Sequence, residues 1–270
     1  MINKTYQKRH ELWLSILFAS FAINNATIKS RLYDFSQIAF RHMKWLGEQI
    51  LANGEDYNYD RDMLLLKRDT LFEILNALKR EIAAFEPFYP DNSLGNRIKT
   101  DDTYLIEYLN ELLANQENDS KITAFNMERK WEDRDLEQSQ IDALTLFLFD
   151  ESYKEYELIL IYAYMQARTK DIDQFNVFQD LIDESHFHLK SFGNMMAKLG
   201  ILALPRELHE MTYVVKDLDK FLIDGIAEEE AAKVMCKALS DAIKDEELSK
   251  FFDFINYQEN YHIELMKRLL

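Results

Sequence analysis

Glu259-Asn260-Tyr261-His262 lies within an apolar run in which Leu248, Phe252, Ile255, Glu259, His262, Met266 and Leu269 step by three and four residues. On a helix these positions share one face, so a carboxylate and an imidazole point toward the core. Charge on a buried stripe is expensive unless something pairs with it, and a metal ion is one such partner. The Glu-x-x-His spacing places an oxygen and a nitrogen one helical turn apart, as in inward-facing helix pairs that hold iron or manganese. By itself the signal is weak, since the spacing is far more often that of a capped or solvated surface pair. The remaining ligands must come from elsewhere in the chain.

The 270 residues include only six Gly and three Pro, and long amphipathic runs replace Val-Thr-Ile alternation, so the expected class is all-α. A net charge of −16 argues against nucleic acid or an anionic membrane as partner. Cys236 is the single cysteine, which excludes an internal disulfide framework and Cys-rich zinc or iron–sulfur sites. It fits a reducing compartment, and the cytoplasm is the expected location. The run Leu12-Trp13-Leu14-Ser15-Ile16-Leu17-Phe18 follows Lys4, Lys8 and Arg9 as a secretory signal would, but His10 and Glu11 interrupt the approach. No apolar run approaches the roughly 20 residues needed to span a bilayer.

Helical patterns are expected over about 8–25, 29–53, 62–86 and 100–115, then 141–168, 173–199, 207–243 with a break near Asp224-Gly225, and 246–270. Gly54 and Gly200 read as helix stops, and Pro87 and Pro90 close another helix. A polar connection runs from Asn115 to about Ser139. The expected organisation is two tandem four-helix bundles, residues 1–118 and 141–270, joined by 119–140.

An internal comparison supports the duplication. Residues 8–54 slide onto 154–200 without a gap, so that Glu11 meets Glu157, His42 meets His188, Gly47 meets Gly193 and Gly54 meets Gly200. Asp102-Thr103-Tyr104-Leu105 pairs with Glu259-Asn260-Tyr261-His262, leaving Leu105 opposite the second copy's histidine.

In the second half, Phe178, Leu181, Ser185, His188, Phe192, Met195 and Leu199 form one stripe, turning His188 inward and Asp183 and His186 outward as a surface pair. Glu184, four residues before His188, can reach the same point from the edge of that stripe. Tyr153, Glu157, Leu160, Tyr164 and Ala167 place Glu157 inward on the preceding helix. Ala232, Met235 and Leu239 point back to Glu228 or, with a slight rotation, to Glu229, although these acidic residues also suit the first turn of a helix. Each turn lies midway between its candidates, so antiparallel hairpins bring Glu157, Glu184, His188, Glu228, Glu259 and His262 to one height.

This pattern resembles the ferritin-like di-iron carboxylate superfamily, of the rubrerythrin and bacterioferritin type. His42-Met43-Lys44-Trp45-Leu46 also resembles the second-helix pattern of rubrerythrin-related domains. The resemblance covers most of 141–270 well and 8–115 weakly. It implies that the six residues above are metal ligands to two iron ions, or manganese, and that oxygen or peroxide reacts there. Ser185 stands where that superfamily has a bridging Glu, which leaves one ion or two open. The first copy reads as metal-free or weakly binding, with remnants at Glu11, His42 and Asp102. The expected function is a non-haem oxidoreductase. The alternatives are a metal-binding protein without turnover and a helical interaction protein with a dead site, and assembly of identical copies stays open. No motif names an organic substrate.

Overall fold

The structure, a computed structural model, describes residues 2–62, 64, 66–115 and 121–270. The described residues are mainly helical and contain no strand, only an isolated bridge between Thr70 and Lys121. The helices are α1 (Ile2–Ala22), α2 (Ala26–Ala52), α3 (Leu71–Ala84), α4 (Ser93–Asn115), α5 (Gln138–Gln166), α6 (Ile172–Lys198), the short α7 (Glu210–Tyr213), α8 (Leu218–Ala242) and α9 (Glu246–Leu269). None is long and apolar enough to cross a membrane.

The chain divides into two compact units. The first comprises Met1–Glu128 with Ala197–Leu208, and the second Arg129–Met196 with His209–Leu270. The sequence break expected at 118–119 lies outside the described residues. Residues 197–208 join the first unit because their backbone is tied to it. Met127 N donates to Gly200 O at 2.9 Å, Leu202 N to Ala124 O at 2.9 Å, and Arg61 Nη2 to Pro205 O at 2.6 Å. The stretch before α5 is held in the second unit by Arg134, which pairs with Asp245 and, at 2.8 Å, with Glu247 at the start of α9.

In the first unit every residue of α1 from Leu12 to Ala22 is buried, the behaviour of a helix segment that is apolar nearly all round, and Arg9, His10 and Glu11 before it are buried too. Residues 62–70, expected in a helix, are not helical where described. Before them, Tyr57 and Tyr59 leave the helical path to bury their rings, Tyr57 at 4.5 Å and Tyr59 at 6.2 Å from the ring of Tyr6 on α1. Thr70 and Glu73 then form a reciprocal capping box that fixes the start of α3. Gly54 and Gly200 take φ of +77° and +76° after α2 and α6, the left-handed stop expected of them.

In the second unit, α9 buries Leu248, Phe252, Ile255, Glu259, His262 and Met266, the row read from its periodicity. The break expected near Asp224-Gly225 falls earlier, between Tyr213 and Leu218, where the Asp217 side chain caps α8 by accepting from Lys220 N. The buried face of α6 is wide, taking in Leu181, Ile182, Ser185, His186, His188 and Leu189. His186, expected to point outward beside exposed Asp183, is therefore only 4% exposed.

Candidate metal centre

Five buried side chains from α5, α6, α8 and α9 meet inside the second unit: Glu155, His188, Glu229, Glu259 and His262. They form two overlapping triads, Glu155–His188–Glu259 and Glu229–Glu259–His262, each offering three ligand atoms within 4.8 Å of one another. Glu259 belongs to both. Its Oε1 lies 3.9 Å from His188 Nδ1, and its Oε2 lies 2.9 Å from His262 Nδ1. Glu155 Oε1 approaches His188 Nδ1 to 2.7 Å, and Glu229 Oε1 stands 3.4 Å from His262 Nδ1. The two imidazole rings are 5.4 Å apart between centroids.

An outer layer orients His188. Its Nε2 lies 3.3 Å from Gln258 Oε1, and Gln258 Nε2 donates to Glu184 Oε2 at 2.5 Å. An amide oxygen can only accept, so Nε2 carries a proton in that contact and Nδ1 is the nitrogen that faces the carboxylates. Fixing the far nitrogen in this way is how metal-binding histidines are commonly oriented.

Without a metal the charges settle on protons. Against the desolvation of burial, Glu155 and Glu259 push the pKa of His188 up to about 9. Against the same penalty, the bonds from Glu229 and Glu259 push His262 up to about 11. Burial and the neighbouring Glu229 hold the Glu259 carboxyl above its ordinary range. Glu229, despite its burial, is held below that range by His262.

The donor set fits a metal. Three carboxylates and two imidazoles are oxygen and nitrogen ligands suited to iron or manganese. Glu155 Oε2 and His262 Nε2 are buried with no hydrogen-bond partner among the described residues. Buried polar atoms left unpaired are uncommon and call for an explanation, such as an ion.

Of the six sequence-predicted ligands, His188, Glu259 and His262 lie in the cluster. Glu157 is half-buried and lies outside both triads; Glu155, two positions away on α5, faces His188 instead. Glu228 is exposed, and Glu229 takes the inward place that a slight rotation of α8 provides. Glu184 is half-buried and acts through Gln258 rather than in a triad. Glu155 is the residue that periodicity missed. Its row, Leu144, Leu148, Ser152, Glu155, Ile159, Tyr162 and Gln166, also steps by three and four and is buried throughout.

In the first unit the expected remnants do not converge. Glu11 accepts from Asp62 N at 2.8 Å and from Lys8 at 2.7 Å, while Asp102 is taken by Arg9. Among the described residues no group of metal-ligand type forms there. Compared with known proteins, the chain matches no protein-family model, no curated protein and no solved structure.

Proposed function

We propose that the second unit is a metal-binding helical bundle of ferritin-like type, one of two in tandem, whose buried cluster holds two iron or manganese ions and serves an oxidoreductase. The observation that carries this reading is Glu259, which turns one carboxylate oxygen toward each of two buried histidines. Glu155 and His188 would help hold one ion and Glu229 and His262 the other, with Glu259 serving both. Three carboxylates with two neutral imidazoles carry −3, a buried charge that calls for cations.

When bound, the ions would supply redox chemistry toward oxygen or peroxide. The chain's own residues supply the rest. Glu155, Glu229 and Glu259 provide the negative charge that retains cations. Gln258 and Glu184 fix the His188 tautomer, and the buried Phe192 ring, 5.9 Å from the His188 ring, helps exclude water. Buried, free Cys236 suits a reducing compartment such as the cytoplasm, where Fe(II) persists.

The test is to load the purified full chain with Fe(II) under anaerobic conditions, count ions per chain, and then admit oxygen or peroxide. Two ions per chain with consumption of oxidant is the expected result. Ions without consumption would leave a metal-binding protein, and no ion at all would overturn the reading.

A further inference from the structure

The two units share more than a sequence offset. The alignment that sets His42 against His188 also sets Arg9 against Glu155, and the one that sets Asp102 against Glu259 sets Asp101 against Gln258. The contacts follow the same correspondence. His188 Nε2 meets the Gln258 side-chain oxygen at 3.3 Å, and His42 Nε2 meets the Asp101 carboxylate at 2.9 Å. Both histidines are fully buried, and both are oriented from the last helix of their unit.

The units differ most plainly at the position of Glu155. In the second, the carboxylates of Glu155 and Glu259 converge with no fixed cation between them. In the first, the position of Glu155 is held by Arg9, wholly buried, whose guanidinium grips Asp102 with two bonds of 3.0 and 2.6 Å. The fork is further fixed by Tyr89, which donates to Asp102 Oδ2 at 2.8 Å, and by the Phe85 ring 4.2 Å beneath the guanidinium carbon. With Arg9 there, His42 Nδ1 has lost the carboxylate that His188 Nδ1 keeps, and is buried with no hydrogen-bond partner among the described residues.

We infer that the first unit is a second copy of the metal frame in which the guanidinium of Arg9 replaces the ion. A permanently charged, planar donor satisfies the buried Asp102 from within the chain. The first unit therefore satisfies its buried carboxylate without metal, while the second leaves its carboxylates to bound protons or an ion. One chain carries one metal centre, and the first unit holds a latent one that keeps His42 and Asp102 but has Arg9 and Leu105 at two ligand positions and no counterpart of Glu229. The inference rests on the proposed metal reading for the second unit, but the correspondence can be tested apart from it.

The decisive variant is Arg9→Glu/Leu105→His in the full chain, also carrying His188→Ala and His262→Ala to disable the second unit. The first unit would then offer two carboxylates and two imidazoles on the shared frame. With Mn(II) and with Co(II) as probes, the expected result is about one or more ions per chain. Hydrogen exchange should slow in peptides around His42 and Asp102 on loading. Helical, folded protein that binds neither probe would overturn the correspondence. If the variant is unfolded without metal, recovery of helix on adding Mn(II) supports the inference and absence of recovery overturns it. A wild-type chain that binds no metal while this variant gains it would sink the metal reading of the second unit and leave the correspondence standing.

Discussion

His188 and Glu155 meet at 2.7 Å, Nδ1 to Oε1, in a place where the imidazole is wholly shielded from solvent. A lone pair and an anionic oxygen cannot sit that close unless something positive lies between them. Because Gln258 takes the proton on Nε2, the choices at Nδ1 are a second proton or a metal ion. The proton gives an imidazolium, consistent with the upward shift of His188 to about 9. Metal must displace that proton, and near neutral pH its apparent affinity should rise with pH as the displaced proton becomes easier to lose.

Glu155 and Glu157 separate the geometry from the spacing of the sequence. Glu155→Gln should lower Mn(II) affinity at least about 100-fold, since a neutral amide replaces an anionic ligand. Glu157→Gln should leave affinity within a factor of about two. The same contrast is expected on α8, with Glu229→Gln damaging and Glu228→Gln harmless. Isothermal titration of the four variants measures this directly, and equal losses within either pair would show that the helix rotations are misassigned.

Why Glu259 and His262 were legible while Glu155 was not is a matter of how apolar each helix is. On α9, exposed positions such as Asp253, Gln258's neighbour Tyr257, and Glu264 are mostly polar or amphipathic, so one row stands out as the buried one. On α5, apolar residues lie on several faces from Leu144 to Tyr164, so two rows compete and spacing cannot choose between them. The residue opposite Glu155 in the aligned copy is Arg9, a reversal of charge at a buried position, and that was the available signal. Tyr57 and Tyr59 were illegible for another reason: their burial depends on Tyr6, about 50 residues away, and no local pattern encodes such a contact.

Gln258 and Glu184 should act on affinity and leave stoichiometry alone. Glu184 reaches His188 only through the Gln258 amide, so it orients the imidazole without contributing a ligand atom to either triad. Losing such an outer partner typically weakens metal binding by about 10–100-fold. Gln258→Leu is expected within that range and Glu184→Ala at its lower end, each with the wild-type number of ions at saturation. A fall in the ion count for Glu184→Ala, measured by elemental analysis at saturating Mn(II), would make Glu184 a ligand after all.

His10 gives the first unit its own response to acid. Burial, with Arg61 adding to it, drives the His10 pKa from its ordinary 6.5 down to about 3, against a hydrogen bond that the imidazole donates to the Tyr59 backbone. The folded state therefore binds the proton less readily than the unfolded chain. Its contribution to stability is fully present above pH 6.5 and is lost as pH falls from there toward about 3. His10→Phe, which keeps a ring beside Trp13 and Tyr59, should shift the acid unfolding of the first unit to lower pH. Hydrogen exchange in α1 peptides, corrected for intrinsic rate, reads the shift. An unchanged acid midpoint would assign the transition to other groups.

The Arg9–Asp102 pair should be easier to replace than to break. Asp102→Leu leaves a guanidinium buried without its partner, and breaking a buried pair from one side costs about 3–5 kcal/mol. Arg9→Met/Asp102→Leu removes both charges and fills the space with apolar groups, which in comparable buried pairs is close to neutral or stabilising. Tyr89 loses its acceptor in both variants, but it is only half-buried, so water can take over that bond. Urea unfolding followed by hydrogen exchange in α1 and α4 peptides should then rank the double variant near the wild type and Asp102→Leu far below it. Arg9→Met alone should fall between, because Asp102 without its cation can take up a proton, whereas a guanidinium cannot lose one. A double variant as unstable as Asp102→Leu would mean that the pair itself, through its bidentate geometry, holds α1 against α4.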